Sequence, residues 1–162
     1  MIAKILLFTA VCFLAWTAAR SEKALAVNPY LPLWEHIPDG EPRLFEDPDQ
    51  PGKFRVYLYG SHDTRRDEYC GYDIPVWSAP VEDLTDWRYD GIAFQSVVDG
   101  KADILFAPDV VEVVDSNGKK TYYLYPNNQS WGRNSQVAKA DRPDGPFEVI
   151  NWKDGKPGDT EG

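Results

Sequence analysis

Short apolar and aromatic runs, broken by Gly, Pro, Asn and Asp, follow one another along most of the chain. Their spacing and the turn-forming residues between them predict an antiparallel all-β protein. At 80–86, the one stretch with helical character, the sequence predicts a turn or a single helical turn at most. The predicted strands are residues 43–45, 54–60, 75–79, 87–94, 110–114, 121–125, 136–140 and 147–150.

The strand pattern occurs twice, with a period of roughly 60 to 66 residues. Pro42 and Pro108 each precede a Tyr-Leu-Tyr strand at the same distance, and further matches follow in order. A repeated unit of four strands is typical of a β-propeller blade, and two similar hairpins in a β-sandwich are the alternative. We expect blade one at about 39–94, blade two at about 104–150, and a polar tail without a strand at 151–162.

Two blades do not close a ring, because propellers need at least four. We therefore expect the chain to be the front part of a longer protein, with completion of the ring by other chains as the alternative. An isolated pair of blades would expose strand edges and half of a core.

The first 26 residues are predicted to be a secretory signal peptide. A positive start, an apolar run at 5–19 and the small-residue pattern Ala24-Leu25-Ala26 favour cleavage after Ala26. The run is shorter than the roughly 20 residues of a membrane span, so an uncleaved anchor is the minor alternative. We expect a secreted or periplasmic protein.

Charge and cysteine content narrow the classes of partner and site. The net charge of −9 becomes −11 when the signal peptide takes Lys4, Arg20, Lys23 and Glu22 with it. Such an acidic protein repels phosphate groups, so neither nucleic acid nor, after signal cleavage, a membrane is an expected partner. Cys70 would be the one remaining thiol, which excludes an internal disulfide, and the sequence has no Cys/His metal motif. No cofactor is predicted.

Carboxylates stand at the starts of the two repeated units. Asp39 and Glu41 precede the first strand of blade one, and Asp109 precedes that of blade two. First strands line a propeller channel, and carboxylates there suit glycoside hydrolysis, in which one activates water and another tunes the proton affinity of its neighbour. The alternative is that these acids cap turns beside prolines and that the tryptophans fill blade interfaces. The aromatic residues that could stack on sugar faces are Trp34, Trp77 and Trp131.

Eight segments resemble family 43 glycoside hydrolases, in the order in which that family has them. They are residues 28–32, 37–42, 56–63, 76–80, 83–87, 107–110, 118–125 and 145–147. The resemblance implies a five-bladed β-propeller and an inverting α-L-arabinofuranosidase or β-xylosidase. Its substrates would be arabinose- or xylose-containing glycans of plant cell walls.

The resemblance also implies roles for individual residues. The family uses an aspartate as general base on blade one, an aspartate as pKa modulator on blade two and a glutamate as general acid on a later blade. Asp109, in Ala-Pro-Asp-Val, matches the modulator. For the base, matching the family's proline selects Glu41, whereas counting back from the Tyr-Leu strand past a small insertion at 46–52 selects Asp39. Asp39 is preferred because the family's base is an aspartate and a longer side chain would reposition the water. His62, beside Gly60-Ser61, is expected either to face the channel or to bond a loop.

The general acid is expected beyond residue 162. Glu161-Gly162 resembles its motif but comes too early in the fold. The chain alone should therefore be nearly inactive, since general acid–base steps each contribute about 10²–10⁴-fold. The alternatives to an enzyme are a carbohydrate-binding or catalytically degenerate propeller and a non-enzymatic fragment. Calcium can occur at the propeller centre in this family, but the sequence shows no ligand set for it.

Overall fold

The computed structural model describes residues 30–63, 69–131, 136–153 and 156–157, with only the backbone of 153, 156 and 157. Over these ranges the chain is all-β, with antiparallel sheets and no helix, which confirms the predicted class. No helix able to cross a membrane occurs in the part described. The predicted signal peptide and Glu161 lie outside the described residues.

The first sheet is a meander of four antiparallel strands that neighbour one another in chain order. The connection after its first strand is held by its own side chains. The carboxylate of Asp47 accepts a hydrogen bond from the backbone N of Asp49 at 2.9 Å, and Gly52 takes a φ of 80° that favours glycine. The strands are β1 (Glu41–Glu46), β2 (Phe54–Tyr59), β3 (Asp73–Pro80) and β4 (Arg88–Gln95). The stretch at 80–86 forms turns, as predicted.

A small hairpin that the sequence reasoning missed follows the first sheet. It pairs β5 (Val97–Val98) with β6 (Lys101–Ala102). Asp99 and Gly100 connect the strands with φ values of 50° and 74°. Two consecutive left-handed residues are what a two-residue hairpin turn requires, and Asp-Gly is a typical pair for it.

The second sheet is another four-stranded antiparallel meander. In the turn after its first strand, the Asp115 carboxylate accepts hydrogen bonds from the backbone N atoms of Asn117 and Lys119. Its strands are β7 (Asp109–Val114), β8 (Lys120–Tyr125), β9 (Ala138–Ala140) and β10 (Glu148–Val149). All eight strands predicted for the two units are therefore present.

The tail was predicted to lack a strand, and this was wrong. Two further strands, β11 (Trp152–Lys153) and β12 (Lys156–Pro157), pair antiparallel. The sequence between them is again Asp-Gly. As after the first sheet, the two strands are too short to show apolar alternation, while the Asp-Gly pair signals the hairpin.

One apolar core joins the two sheets. Phe45 of β1 meets Tyr122 of β8 edge to face, with ring centroids 5.1 Å apart. The hydroxyl of Tyr59 donates to the carbonyl oxygen of Pro143 at 2.6 Å. The buried residues of the core are Phe45, Tyr57, Tyr59, Ile74, Val76, Ala93, Phe94, Leu105, Val110, Tyr122, Leu124, Ala138, Ala140 and Phe147. Each repeated unit thus forms its own sheet, and the number of blades in a ring stays a prediction.

The faces turned away from this core carry exposed apolar residues. On the first sheet, Leu44 alternates with the buried Phe45 and is 56% exposed. On the second sheet, Val111 and Val113 alternate with the buried Val110 and are also exposed. The two sheets therefore present two further apolar surfaces besides the one they share.

Candidate active site

Asp39 lies on a tight turn directly before β1. Its backbone is left-handed, with φ at 54°, a conformation that Asp tolerates better than most residues. The turn packs closely on the end of β2, because a Cβ atom on Gly60 would lie 2.1 Å from the Ile37 side chain and 3.1 Å from the Pro38 carbonyl oxygen. Ser61 Oγ also donates to that carbonyl oxygen at 3.3 Å. The exposed Asp39 side chain is thus carried on a restrained backbone.

Glu41 and Asp109 are joined through one arginine. Arg43 Nη1 donates to Glu41 Oε1 and Arg43 Nη2 donates to Asp109 Oδ1, each at 2.6 Å. Arg43 Nε donates to the backbone oxygen of Val110 at 3.2 Å. All three side chains are a third to a half exposed, so the ion pairs lie at the surface of this end of the sheets.

The two carboxylates occupy equivalent places in their sheets. Glu41 is the first residue of β1 and pairs with Tyr59, and Asp109 is the first residue of β7 and pairs with Tyr125. The two tyrosines end corresponding Tyr-Leu-Tyr motifs. The β1–β2 connection is longer than the β7–β8 connection. Glu41 and Asp109 therefore correspond to each other by strand register, whereas the sequence repeat aligns Pro42 with Pro108.

Tyr69 and Cys70 border the same region. Burial raises the pKa of the Cys70 thiol, and the charges of Asp63 and Asp39 act in the same direction. The pKa of the exposed Tyr69 hydroxyl is also raised, first by Cys70 and then by Asp39. The Tyr69 ring lies 6.4 Å from that of Phe106, shortly before Asp109 in the chain. The loop at 69–70 therefore adjoins both the Asp39 turn and the segment that leads to Asp109.

His62 is placed between two carboxylates. Its Nδ1 lies 2.6 Å from Asp73 Oδ1, and its Nε2 lies 3.3 Å from Glu35 Oε1. Glu35 is nearly fully buried, and its other oxygen accepts a hydrogen bond from Trp77 Nε1 at 2.8 Å. His62 thus bonds the segment before β1 to the start of β3. Its role in binding substrate stays a prediction.

The three predicted aromatic platforms lie in different surroundings. Trp77, on β3, is only 5% exposed, and its ring contacts those of Trp34 and Tyr89. Trp34 covers it and is 69% exposed, so its outer face is open to a ligand. Trp131 is 55% exposed, in the loop between β8 and β9. Of the three, Trp34 and Trp131 offer free ring surface.

Sequence reasoning missed Arg43 and Glu35. A signal for Arg43 was present, because residues 41, 43 and 45 of a strand share one face. That signal does not show the packing of the two sheets, which brings β7 beside that face. Nothing in the sequence marks Glu35, whose role depends on contacts with β3 and the loop after β2. Among the described residues no group of three or more His, Cys, Asp or Glu side chains is arranged to hold a metal ion.

The sequence of this chain is similar to part of a known protein. No protein-family model matches the chain. A xylosidase/arabinosidase of Thermoclostridium stercorarium is 40% identical over 145 residues, which cover 83% of this chain. The chain spans only about 28% of the length of that relative. It is therefore similar to one segment of a much longer protein.

Proposed function

We propose that this chain is part of a longer, secreted, inverting glycoside hydrolase that acts on arabinofuranosides or xylosides of plant cell walls. The observation that carries the proposal is the meeting of carboxylates at one end of two equivalent sheets. Glu41 and Asp109 start corresponding strands and share Arg43, and Asp39 stands two residues before Glu41. The similarity to a xylosidase/arabinosidase supports the same chemistry.

Asp39 is the general base in this proposal. Its carboxylate is exposed, and no hydrogen bond to it is seen among the described residues, so it is free to take a proton from water. The Glu41 carboxylate is already engaged by the guanidinium group of Arg43, so one of its oxygens is occupied and less available to a catalytic water. Asp109 serves as the modulator, a nearby negative charge that tunes the proton affinity of the reacting groups.

The general acid would come from a later part of the polypeptide. Inverting hydrolysis needs a water, a carboxylate that activates it, and an acid that protonates the leaving oxygen from the opposite side. The present chain offers the first carboxylate and the modulator. We expect the acid on a third or later blade.

A five-bladed propeller accounts for the open faces of both sheets. In a ring, the exposed Leu44 face would pack on the last blade and the Val111–Val113 face on the third. The length of the relative leaves room for such blades. Trp34 and Trp131 are then candidates for stacking on sugar rings, and His62 and Trp77 for the support of that surface.

Hydrolysis by the longer polypeptide tests the proposal. We expect it to release nitrophenol from a nitrophenyl α-L-arabinofuranoside or β-D-xyloside, and we expect the 162-residue chain to be nearly inactive. Asp39→Asn and Asp109→Asn should each abolish turnover. Asp115→Asn is a matched control, because it changes an aspartate at the other end of β7 and keeps the oxygen that caps the turn.

The outcomes separate the competing functions. Binding of xylo- or arabino-oligosaccharides without hydrolysis by the longer polypeptide would favour a degenerate, carbohydrate-binding propeller. Full activity of Asp39→Asn would transfer the base to Glu41 or overturn the assignment. The anomeric form of the first product, observed by NMR, tests inversion directly, and a retained configuration would contradict that part of the proposal.

A further inference from the structure

Among the described residues, Arg43 links β1 to β7 at the candidate site through ion pairs. Its three guanidinium nitrogens are all used, on Glu41, Asp109 and the backbone oxygen of Val110. Nη1 also donates to the carbonyl oxygen of Pro42 at 3.1 Å. The planar guanidinium fork presents donors to these partners on both strands in one fixed geometry, whereas a lysine ammonium is a compact charge on a flexible stem.

The opposite charges of Arg43 and of its partners Glu41 and Asp109 favour a fixed arrangement of the three side chains. The Arg43 guanidinium binds both carboxylates, so one positive charge is shared between the two negative charges. Partial burial lowers the pKa of Arg43, but its hydrogen bonds with Glu41 and Asp109 outweigh that effect and raise it above its ordinary value. The guanidinium group therefore stays charged throughout the pH range in which a glycosidase works.

The Asp109 side chain is also held by the backbone of the next residue. Its Oδ1 accepts hydrogen bonds both from Arg43 and from the backbone N of Val110, the latter at 2.6 Å. These two contacts fix the direction of the carboxylate relative to β1. Loss of the guanidinium would leave the side chain held by the Val110 N–H alone, and the two acids without their shared counter-charge.

We propose that Arg43 is a positioning residue for the glycosidase reaction: it sets the position of Asp109 relative to the Asp39 turn and withholds Glu41 from the role of base. The inference rests on the proposed function and adds a residue to it. Arg43 acts through the two carboxylates and does not itself transfer a proton. Its contribution belongs to kcat and to the pH profile more than to KM.

A purely structural arginine is available as a matched control. Arg142 also joins the two sheets, and it too binds two carboxylates, those of Asp49 and Asp144. Its partners lie in the connection after β1 and in the turn before β10, at the opposite end of β1 from Glu41. The substitutions Arg43→Met and Arg142→Met therefore remove the same chemistry from the same interface at different places.

The experiment compares these variants in the longer polypeptide, with a nitrophenyl glycoside that the wild type hydrolyses. We expect Arg43→Met to lower kcat about 10- to 100-fold with a smaller change in KM, as displacement of a reacting group on the order of 1 Å does. Loss of the guanidinium removes a positive charge beside the candidate site, so we expect the acidic limb of the kcat/KM profile to move to higher pH. Compared with Arg43→Met, Arg43→Lys should bring the acidic limb of the pH profile closer to its wild-type position than it brings kcat to its wild-type value.

Arg142→Met should lower the melting temperature while kcat and the pH profile stay at wild-type values. If Arg43→Met behaves in the same way, Arg43 is a structural residue and the inference is overturned, while the proposed function stands. If Arg43→Met does not fold, Arg43→Lys and Glu41→Gln decide, and loss of activity in Glu41→Gln equal to that of Asp39→Asn contradicts the inference. If the wild type hydrolyses no arabinofuranoside or xyloside, the proposed function itself fails.

Discussion

The interface between the two sheets has two polar ends, and at each end an arginine binds two carboxylates. At one end Arg43 joins Glu41 and Asp109, the first residues of β1 and β7. At the other end Arg142 binds Asp49 through both oxygens and Asp144 beside it. The partners of Arg142 stand in turns that other contacts already hold, whereas those of Arg43 start strands next to the Asp39 turn.

This contrast shows that the chemistry of an ion pair does not reveal its role. At the end of β1 that leads to Asp49, Lys120 also bridges Glu46 and Glu112. Several contacts therefore share the work of joining the sheets at that end. The Arg43 end is a candidate site because its ion pairs lie next to other carboxylates, and not because they are stronger.

The largest effect is expected from the core that both ends share. Phe45→Ala removes a buried ring that packs on Tyr57 and Tyr122, and it should lower the free energy of unfolding by about 3–5 kcal/mol. Leu44→Ala, one residue away on the open face, should change it by less than about 0.5 kcal/mol in this chain. Denaturant unfolding of the two variants measures the difference, and similar losses would contradict the assignment of the two faces.

The sequence predicted the sheets well because their alternation is local. All eight strands of the two units follow from runs of apolar and aromatic residues between turn signals. The hairpins after each unit were missed, since two-residue strands such as Val97–Val98 hold too few residues to show a period. Their Asp-Gly pairs were the usable signal.

The candidate site was predicted in part. Asp39, Glu41 and Asp109 were selected from their places in the repeat and from resemblance, and the structure brings Glu41 and Asp109 to one arginine. The strand alternation places Arg43 on the face of Glu41, but its partner Asp109 is 66 positions away and meets it only through the packing of two sheets. Long-range packing of this kind leaves no periodic trace in a sequence.

A smaller effect is expected where the Asp39 turn meets the end of β2. Gly60→Ala places a Cβ atom against Ile37 and the Pro38 oxygen, so the turn must move. Overpacking of this kind costs about 1–3 kcal/mol. In the longer polypeptide, activity should fall as well, because Asp39 moves with the turn.

A second substitution distinguishes this cause from a general loss of stability. Ile37→Ala in the Gly60→Ala background removes the methyl group in closest conflict, and it should recover part of both stability and activity. Thermal unfolding and nitrophenyl glycoside turnover are the two measurements. A double variant no better than Gly60→Ala would show that the Ile37 contact does not limit the turn.

The smallest effect is the acid sensitivity of the Arg142 end. Hydrogen bonds from Arg142 lower the pKa of Asp49 below its ordinary 3.8, and hydrogen bonds from Lys120 and the backbone of Gly52 lower the pKa of Glu46 below its ordinary 4.5. A carboxylate with a lowered pKa stabilises the fold fully above its ordinary value, and this contribution is lost as the pH falls through the lowered value. Stability should therefore decline as the pH drops below about 4.5.

Arg142→Met removes the cause of the Asp49 shift, so its melting temperature should depend less steeply on pH below about 4 than that of the wild type. Lys53→Met is a suitable control, because Lys53 lies in the same β1–β2 region but pairs with the exposed Glu82 at 3.4 Å. Thermal unfolding in steps from pH 7 to about pH 2.5 covers the window. An unchanged slope in Arg142→Met would mean that the Asp49 pair contributes nothing at this end, and that the two arginines differ less than their positions indicate.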